Sequence, residues 1–324
     1  MTPWEYLRQI VATIPEISRQ TGYSSPFLAW QFFRCYLSRR TEIDEFRSLR
    51  LFELAAPARR RYLMWKESRK ISDRLTKDAT PEELQLFLNK QQFNKTFRSF
   101  MHRDWIYLPT ASPEQLDAFV RTHDVFLAKS CSGNQGKNIF RFRNDDPSLV
   151  GFLRENAKEP FLLESFITQH PALQAVNPGS VNTIRFIAAQ AGQKVCFVGA
   201  GLRCGGEGQF VDNFHHGGVA YPIDLDSGVI TGPGIDLDGN PIIRHPTTGH
   251  LMPGFEIPFW DDVLEMIRRA ALTVPHVGYV GWDLAITPEG PELIEGNVNY
   301  PGNTIIQLDG PGARQRLTEF ISHH

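Results

Sequence analysis

The chain has 324 residues, 41% hydrophobic and 22% charged, a balance expected of a soluble globular protein with room for two or three domains. Its formal net charge of −2 argues against a nucleic-acid-binding protein, so any anion site must be locally basic. Four cysteines (Cys35, Cys131, Cys196, Cys204) lie far apart without CxxC spacing, which points to neither a disulfide scaffold nor a zinc site and fits a reducing, cytoplasmic setting.

Residues 1–80 read as all-helical. Thr2-Pro3-Trp4-Glu5 supplies an N-cap, a proline at the first helical position and an early acid. Charges at Glu5, Arg8, Glu16 and Arg19 interrupt the first thirty residues, so no signal peptide is predicted. The apolar run Pro26–Leu37 is broken by Gln31 and Arg34 and is too short to span a bilayer. It reads as a core-facing amphipathic helix, with docking on a membrane surface as the lesser reading. Thr41 to Phe52 reads as another capped helix. Ala55 to Leu75 is basic, with Arg59, Arg60, Arg61, Lys66, Arg69, Lys70 and Arg74, and reads as a solvated surface, anion or lipid binding being the minor alternative.

Thr80-Pro81-Glu82-Glu83 starts a further helix by the same capping logic, and that helix is expected to continue past Lys90. A short helix is expected over 112–121. Residues 124–143, DVFLAKSCSGNQGKNIFRFR, then give strand, loop, strand. Lys129 lies on the first strand, and the loop Ser130–Gly136 is followed by Lys137. Gly133 and Gly136 permit positive φ and close backbone approach, so the loop's N–H groups can line an anion while Lys129 offers a point charge. Neither a P-loop nor a GxGxxG turn is present. A helix over 146–157 precedes the strand Phe161–Glu164, which completes an α+β unit with an antiparallel sheet.

From Val181 the chain is strand-rich (TIRFIAA, KVCFVGAGLR, GVAYPID, GVI), with a long Gly- and Pro-rich loop over 229–258 and an amphipathic helix over 258–272. The last strands, GYVGWDLAITPEGPELIEGN, form a hairpin through Pro288-Glu289-Gly290. Glu295 and Asn297 share a face by the period of two, and the hairpin brings Asp283 beside them. Two carboxylates and an amide oxygen suit a hard cation such as Mg²⁺, with phosphates completing its shell. The alternative is a hairpin with solvated acids, disfavoured because carboxylates inside apolar strands are costly to bury unpaired.

Taken in order over about residues 40–310, these segments resemble the ATP-grasp superfamily, most closely the sugar-transfer-associated ATP-grasp family related to α-L-glutamate ligases. Asn89-Lys90 followed by Phe93 is similar to the family's phosphate-reaching lysine element. FLAKSCSGNQGKNIF is similar to its lysine strand and phosphate-covering loop, with Lys129, Ser132, Gly133, Gly136 and Lys137. FLLESF, with Glu164, Ser165 and Phe166, resembles the adenine hinge. NTIRF with Arg185, and GLRCGGEGQFVDNFHHGG with Arg203, Asn213 and Gly217-Gly218, resemble the central substrate-side strands. WDLAITPEGPELIEGN resembles the metal hairpin.

The resemblance implies an α+β ATP-grasp fold whose two subdomains grip ATP. Residues 81–160 would carry the lysine strand and phosphate loop, residues 161–324 the hinge and metal hairpin, and residues 1–80 a helical preface. It implies ATP and two Mg²⁺ ions, with Mn²⁺ able to substitute, held by Asp283, Glu295 and Asn297. It also implies ligation of a small carboxylic acid to an amine through an acyl phosphate, with Arg203 and Arg185 stabilising the developing charge. The family's place beside sugar transfer suggests a cell-envelope polysaccharide or sugar-acid acceptor. The other readings are a kinase acting on a hydroxyl and a nucleotide-binding protein without turnover. The chain departs from the pattern at three points. Residues 1–80 show no Rossmann-like alternation, Thr168–Pro171 supplies no ribose-binding acid, and Lys137 is bulkier than its loop would suggest.

Overall fold

The computed structural model describes residues 2–131, 139–206, 217–299, 301–308 and 312–323. The N-terminal region folds as helices α1 (Pro3–Thr21), α2 (Ser25–Arg39), α3 (Ile43–Ser48), α4 (Ala56–Arg59) and α5 (Trp65–Leu75). Thr2 caps α1 in the expected box with Glu5, and Gly22, at φ 78°, ends the helix in the left-handed region. The cap of α3 is Glu42 rather than Thr41, in a box with Glu45. Thr41 is buried instead, its hydroxyl donating to the Cys35 carbonyl at 3.4 Å. The inner sides of α1 and α2 bury Ile14, Ile17, Leu28, Phe32 and Cys35 with Phe46 and Phe52. The outer side of α2 stays open: Trp30, Phe33 and Leu37 are more than half exposed, so the Pro26–Leu37 segment is apolar on both sides.

Helices α6 (Pro81–Leu88) and α7 (Lys90–Thr96) follow, the first capped by Thr80 with Glu83. They are separate helices, because Asn89 turns extended and its side-chain oxygen accepts from the N–H groups of Gln91 and Gln92. Lys90 therefore opens a helix.

Strands β1 (Trp105–Tyr107), β2 (Val125–Ser130), β3 (Ile139–Arg143) and β4 (Phe161–Ser165), with helices α8 (Pro113–Thr122) and α9 (Leu149–Glu155), form an antiparallel sheet in the order β1-β4-β2-β3. Phe126, Ala128, Leu163, Phe119 and Leu149 close its helical side. The strand carrying Glu164 is hydrogen-bonded into this sheet, which extends to Ser165 rather than to residue 160.

After α10 (Pro171–Val176), the strands β5 (Thr183–Ala191), β6 (Lys194–Cys204), β7 (Val219–Ile223), β8 (Gly234–Ile235), β9 (Pro241–Ile242), β10 (Tyr279–Thr287) and β11 (Gly290–Asn297) form a seven-stranded sheet in the order β11-β10-β5-β6-β7-β8-β9. Helix α11 (Trp260–Thr273) packs Val263, Ile267 and Ala270 against Ile184, Phe186 and Trp282. Phe87, Phe93 and Phe97 of α6–α7 join the same core, and a Cβ at Gly296 of β11 would stand 2.7 Å from the Phe87 ring.

On the opposite face, Leu63 and α5 meet Ile187, Tyr279 and the last helix, α12 (Gly312–Ser322). The Gln307 amide clamps Leu63, accepting from its N–H at 2.6 Å and donating to its carbonyl at 3.0 Å. The 229–258 loop also holds the helical region, through an ion pair from Asp238 to Arg47 and a 3.0 Å bond from Gln20.

Candidate active site

The hairpin β10–β11 sets Asp283 directly opposite Glu295 and Gly281 opposite Asn297. On its other side Asp283 faces Arg185 of β5, and Thr183 faces Arg203 of β6. A β-bulge falls immediately after Asp283, a device that re-aims side chains at functional edges. Five sequence-predicted residues thus meet on one face: Asp283, Glu295, Asn297, Arg185 and Arg203.

Asp283 is buried and Glu295 half-buried. Arg185 forks onto Asp283, Nε to Oδ1 at 2.5 Å and Nη2 to Oδ2 at 2.9 Å, the bidentate geometry specific to arginine. Its Nη1 donates to the Pro301 carbonyl at 2.9 Å. Arg203 Nη2 lies 3.2 Å from Asp283 Oδ2 and 2.6 Å from the Thr183 hydroxyl. Burial would raise the Asp283 carboxyl, but Arg185 and Arg203 outweigh it and hold it below the ordinary value. Glu295 behaves oppositely. Burial and then the charge on Asp283 push its carboxyl up, against the pull of Arg185, Lys90 and Arg203.

This arrangement fits a hard divalent cation. A carboxylate has about four lone-pair positions. Arg185 and Arg203 crowd Asp283 Oδ2, while Oδ1 accepts from Arg185 Nε, and Asp283 also shares a hydrogen bond with Glu295. Glu295 is an acid held beside another acid, a repulsion that a cation relieves. Asn297 Nδ2 sits 3.4 Å from both Asp283 Oδ2 and Glu295 Oε1, distances long for hydrogen bonds, and the amide presents its oxygen there by a simple flip.

A second cluster lies at the junction of the two sheets. Lys129 Nζ donates to Glu164 Oε2 at 2.6 Å, Arg103 Nε reaches the same oxygen at 3.3 Å, and Asn94 Nδ2 donates to Oε1 at 2.8 Å. Burial acts to raise the Glu164 carboxyl, yet Lys129 and Arg103 bring it down to about 2. Arg103 also pairs with buried Glu292 and donates to the Leu293 carbonyl at 2.6 Å, which ties the small sheet to strand β11. Arg103, Glu292 and Asn94 escape sequence reading. Arg103 sits in HRDW, which has no periodicity, and its partners are 61 and 189 residues away.

Lys90 is held by its N–H on the Cys131 carbonyl at 3.3 Å, and its charge acts on Glu295. Ser165 exchanges bonds with Asp104: its N–H donates to the Asp104 carbonyl at 2.9 Å, and its hydroxyl accepts at 3.0 Å. The Phe166 ring lies under Arg141, 5.1 Å from ring centre to guanidinium. Ser132, Gly133, Gly136, Lys137 and Asn213 lie outside the described residues.

The segment after β11 links the face to a cleft of about 400 Å³. Ser68 and Ser72 of α5 and Thr76 at its C-terminal cap, one turn apart, line one side, and Asn299 and Pro301 the other. Thr76 Oγ1 is buried without a hydrogen-bond partner among the described residues. Ser68 donates to Tyr279 OH at 3.3 Å, and Tyr279 donates to Asn303 Oδ1 at 3.2 Å.

The model of the sugar-transfer associated ATP-grasp family matches residues 148–321. No curated protein matches the chain in sequence. Among solved structures the chain is similar to an ADP complex of N5-carboxyaminoimidazole ribonucleotide synthetase, at 11% identity and TM-score 0.43, over 66% of this chain and 45% of that one. It is similar to the ATP-grasp ligase PsnB complexed with a phosphomimetic variant of its minimal precursor, Mg and ADP, at 13% identity and TM-score 0.43, over 78% and 68%. It is also similar to an L-amino acid ligase from Bacillus licheniformis, at 11% identity and TM-score 0.45, over 73% and 48%. The chain spans 45% of the length of the first of these structures.

Proposed function

The chain belongs to the sugar-transfer associated ATP-grasp family, and from that premise we propose that it is an ATP-dependent carboxylate–amine ligase that forms an amide through an acyl phosphate and releases ADP and phosphate. The observation that carries this reading is the pairing of Asp283 with Glu295, with Asn297 equidistant from both and Lys90, Arg185 and Arg203 acting on them. An amide ligase must neutralise the triphosphate before a carboxylate can approach it, and this face combines hard oxygen donors with three cations.

In this reading Asp283, Glu295 and Asn297 hold two magnesium ions, for which manganese can substitute. When bound, the metal offsets phosphate charge and aligns the phosphoryl group for transfer. Lys129 and Lys90 hold the phosphates, and Glu164, pinned by Arg103 and Asn94, keeps the Lys129 ammonium in place. Ser165 and Phe166 continue the strand as the adenine hinge, and the loop with Ser132, Gly133, Gly136 and Lys137 covers the phosphates. Arg185 acts by position, since its guanidinium is engaged with Asp283 and the Pro301 carbonyl. Arg203 is the cation that stabilises the tetrahedral intermediate formed when the amine attacks the acyl phosphate. The cleft between α5 and Val298, Asn299 and Pro301 receives the acceptor, so the helical region would take the substrate-side role of an N-terminal domain. Its polar lining, with Arg69, Ser72, Asp73 and Asn299, suits a polar, sugar-acid-like molecule.

The test is ADP release screened over amino acids and sugar acids, with mass spectrometry of the products. ADP and free phosphate should appear together only when an acid and an amine are both present, and the product should equal their sum less water. A phosphorylated hydroxyl product would make the protein a kinase instead.

A further inference from the structure

We propose that the outer face of the α1–α2 hairpin is a docking surface for an anionic lipid bilayer. Six large apolar side chains lie there unburied: Trp4, Leu7 and Val11 on α1, and Trp30, Phe33 and Leu37 on α2, each between 47% and 65% exposed. Both sets are spaced i, i+3, i+7, a single stripe on each helix.

The two stripes share one side of the hairpin. Tyr6 meets Tyr36, ring centres 6.4 Å apart, so the start of α1 lies beside the end of α2. Gln9 bonds to Asp44, and Glu16 pairs with Arg47, so α3 covers the next flank of α1. With α2 and α3 thus placed, the helical period turns Trp4, Leu7 and Val11 outward on the side that also presents Trp30, Phe33 and Leu37.

The charges on this face are cationic. Arg8 lies over the Trp4 ring at 5.5 Å and Arg34 over the Trp30 ring at 4.7 Å. Among the described residues neither arginine makes an ion pair. Helix α2 contains no acidic residue, and the acids of α1 are engaged elsewhere, Glu5 in the Thr2 cap and Glu16 with Arg47. Residues 1–80 hold fifteen Lys and Arg against nine Asp and Glu, in a chain whose net charge is −2. Tryptophan bordered by arginine is the composition that settles at the headgroup level, with the rings in the acyl boundary and the guanidinium groups on lipid phosphate.

No helix among the described residues is long and apolar enough to cross a membrane, so the face would lie on the bilayer. A second copy of the chain suits the face less well, because self-pairing sets arginine against arginine with no carboxylate between. The proposal is independent of the ligase reading, since its readout is partition and not turnover.

The experiment is co-sedimentation of the full chain with vesicles of phosphatidylcholine alone and of equal parts phosphatidylcholine and phosphatidylglycerol, at low salt. Wild type should pellet with the anionic vesicles, with a blue shift in tryptophan emission. Arg8→Gln/Arg34→Gln should lower the partition coefficient on anionic vesicles about thirtyfold, at about fivefold per charge. Phe33→Ser/Leu37→Ser should lower it on both vesicle types, with an unchanged melting temperature because both residues are exposed. Wild type remaining in the supernatant with anionic vesicles overturns the proposal. So does a dimer that the serine variant splits while no form binds vesicles, which would assign the face to a second copy.

Discussion

Glu295 and Asp283 are neighbours in space with opposite titration behaviour, and the difference is testable. Burial and the Asp283 charge raise the Glu295 carboxyl above its ordinary value of 4.5. A group raised in the folded state contributes its stability below the unfolded value and loses it as pH rises through the folded value. At neutral pH, with no metal bound, ionised Glu295 therefore costs stability. Glu295→Gln should raise the melting temperature of the metal-free protein at pH 7, and the gain should shrink to nothing below about pH 4. A lower melting temperature at pH 7 would mean that the carboxylate holds the fold together. Asp283, Glu295 and Asn297 were legible in the sequence because period-two alternation and one tight turn fix their placement locally. The bidentate Arg185–Asp283 pair was not, because strand order decides it, and the two residues lie 98 apart.

At the scale of elements, the segment after β11 is the part on which the site most depends. Gly302 sits at φ +88°, and a Cβ there would stand 2.7 Å from Arg185 Nη1. Gly254 has the same φ of +88° with nothing within 4 Å, which makes it the matched control. Gly302→Ala and Gly254→Ala should each cost about 1–2 kcal/mol of stability through backbone strain. Only Gly302→Ala should also lower turnover, by about tenfold or more, by pushing Arg185 off Asp283. Equal turnover in the two variants would detach Arg185 from the chemistry. Helix starts at Thr2, Thr80 and Ser112 were readable, since a cap, a proline and an acid or amide three residues on act within one turn. Strand β1 was not, because three residues carry no periodicity and its place comes from pairing with β4. The break between α6 and α7 turned on the capping side chain of Asn89, which outcompetes helix continuation.

For the molecule as a whole, the helical region is bound into the large sheet and does not hang from it. Leu63 is fully buried among residues of β5, β6, β10 and α12, and the Gln307 amide holds both its backbone groups. Leu63→Ala should cost about 2–5 kcal/mol, and chemical denaturation should keep a single transition, with helical and tryptophan signals coincident. Two separated transitions would make residues 1–80 an independent unit. The sequence carried the helical character of this region through composition and caps. Its docking on the sheet was unreadable, because Leu63 and Gln307 are 244 residues apart and neither belongs to a motif.

The deciding measurement is the steady-state rate of ADP release by Glu295→Gln beside wild type, at saturating Mg²⁺ and with the acid and amine that the screen identifies. Glutamine keeps the shape and removes the charge that attracts the metal, so the rate should fall by about a hundredfold or more while the protein stays folded. A rate within about threefold of wild type would contradict the account, because the paired acids of the β10–β11 hairpin would then take no part in phosphoryl transfer.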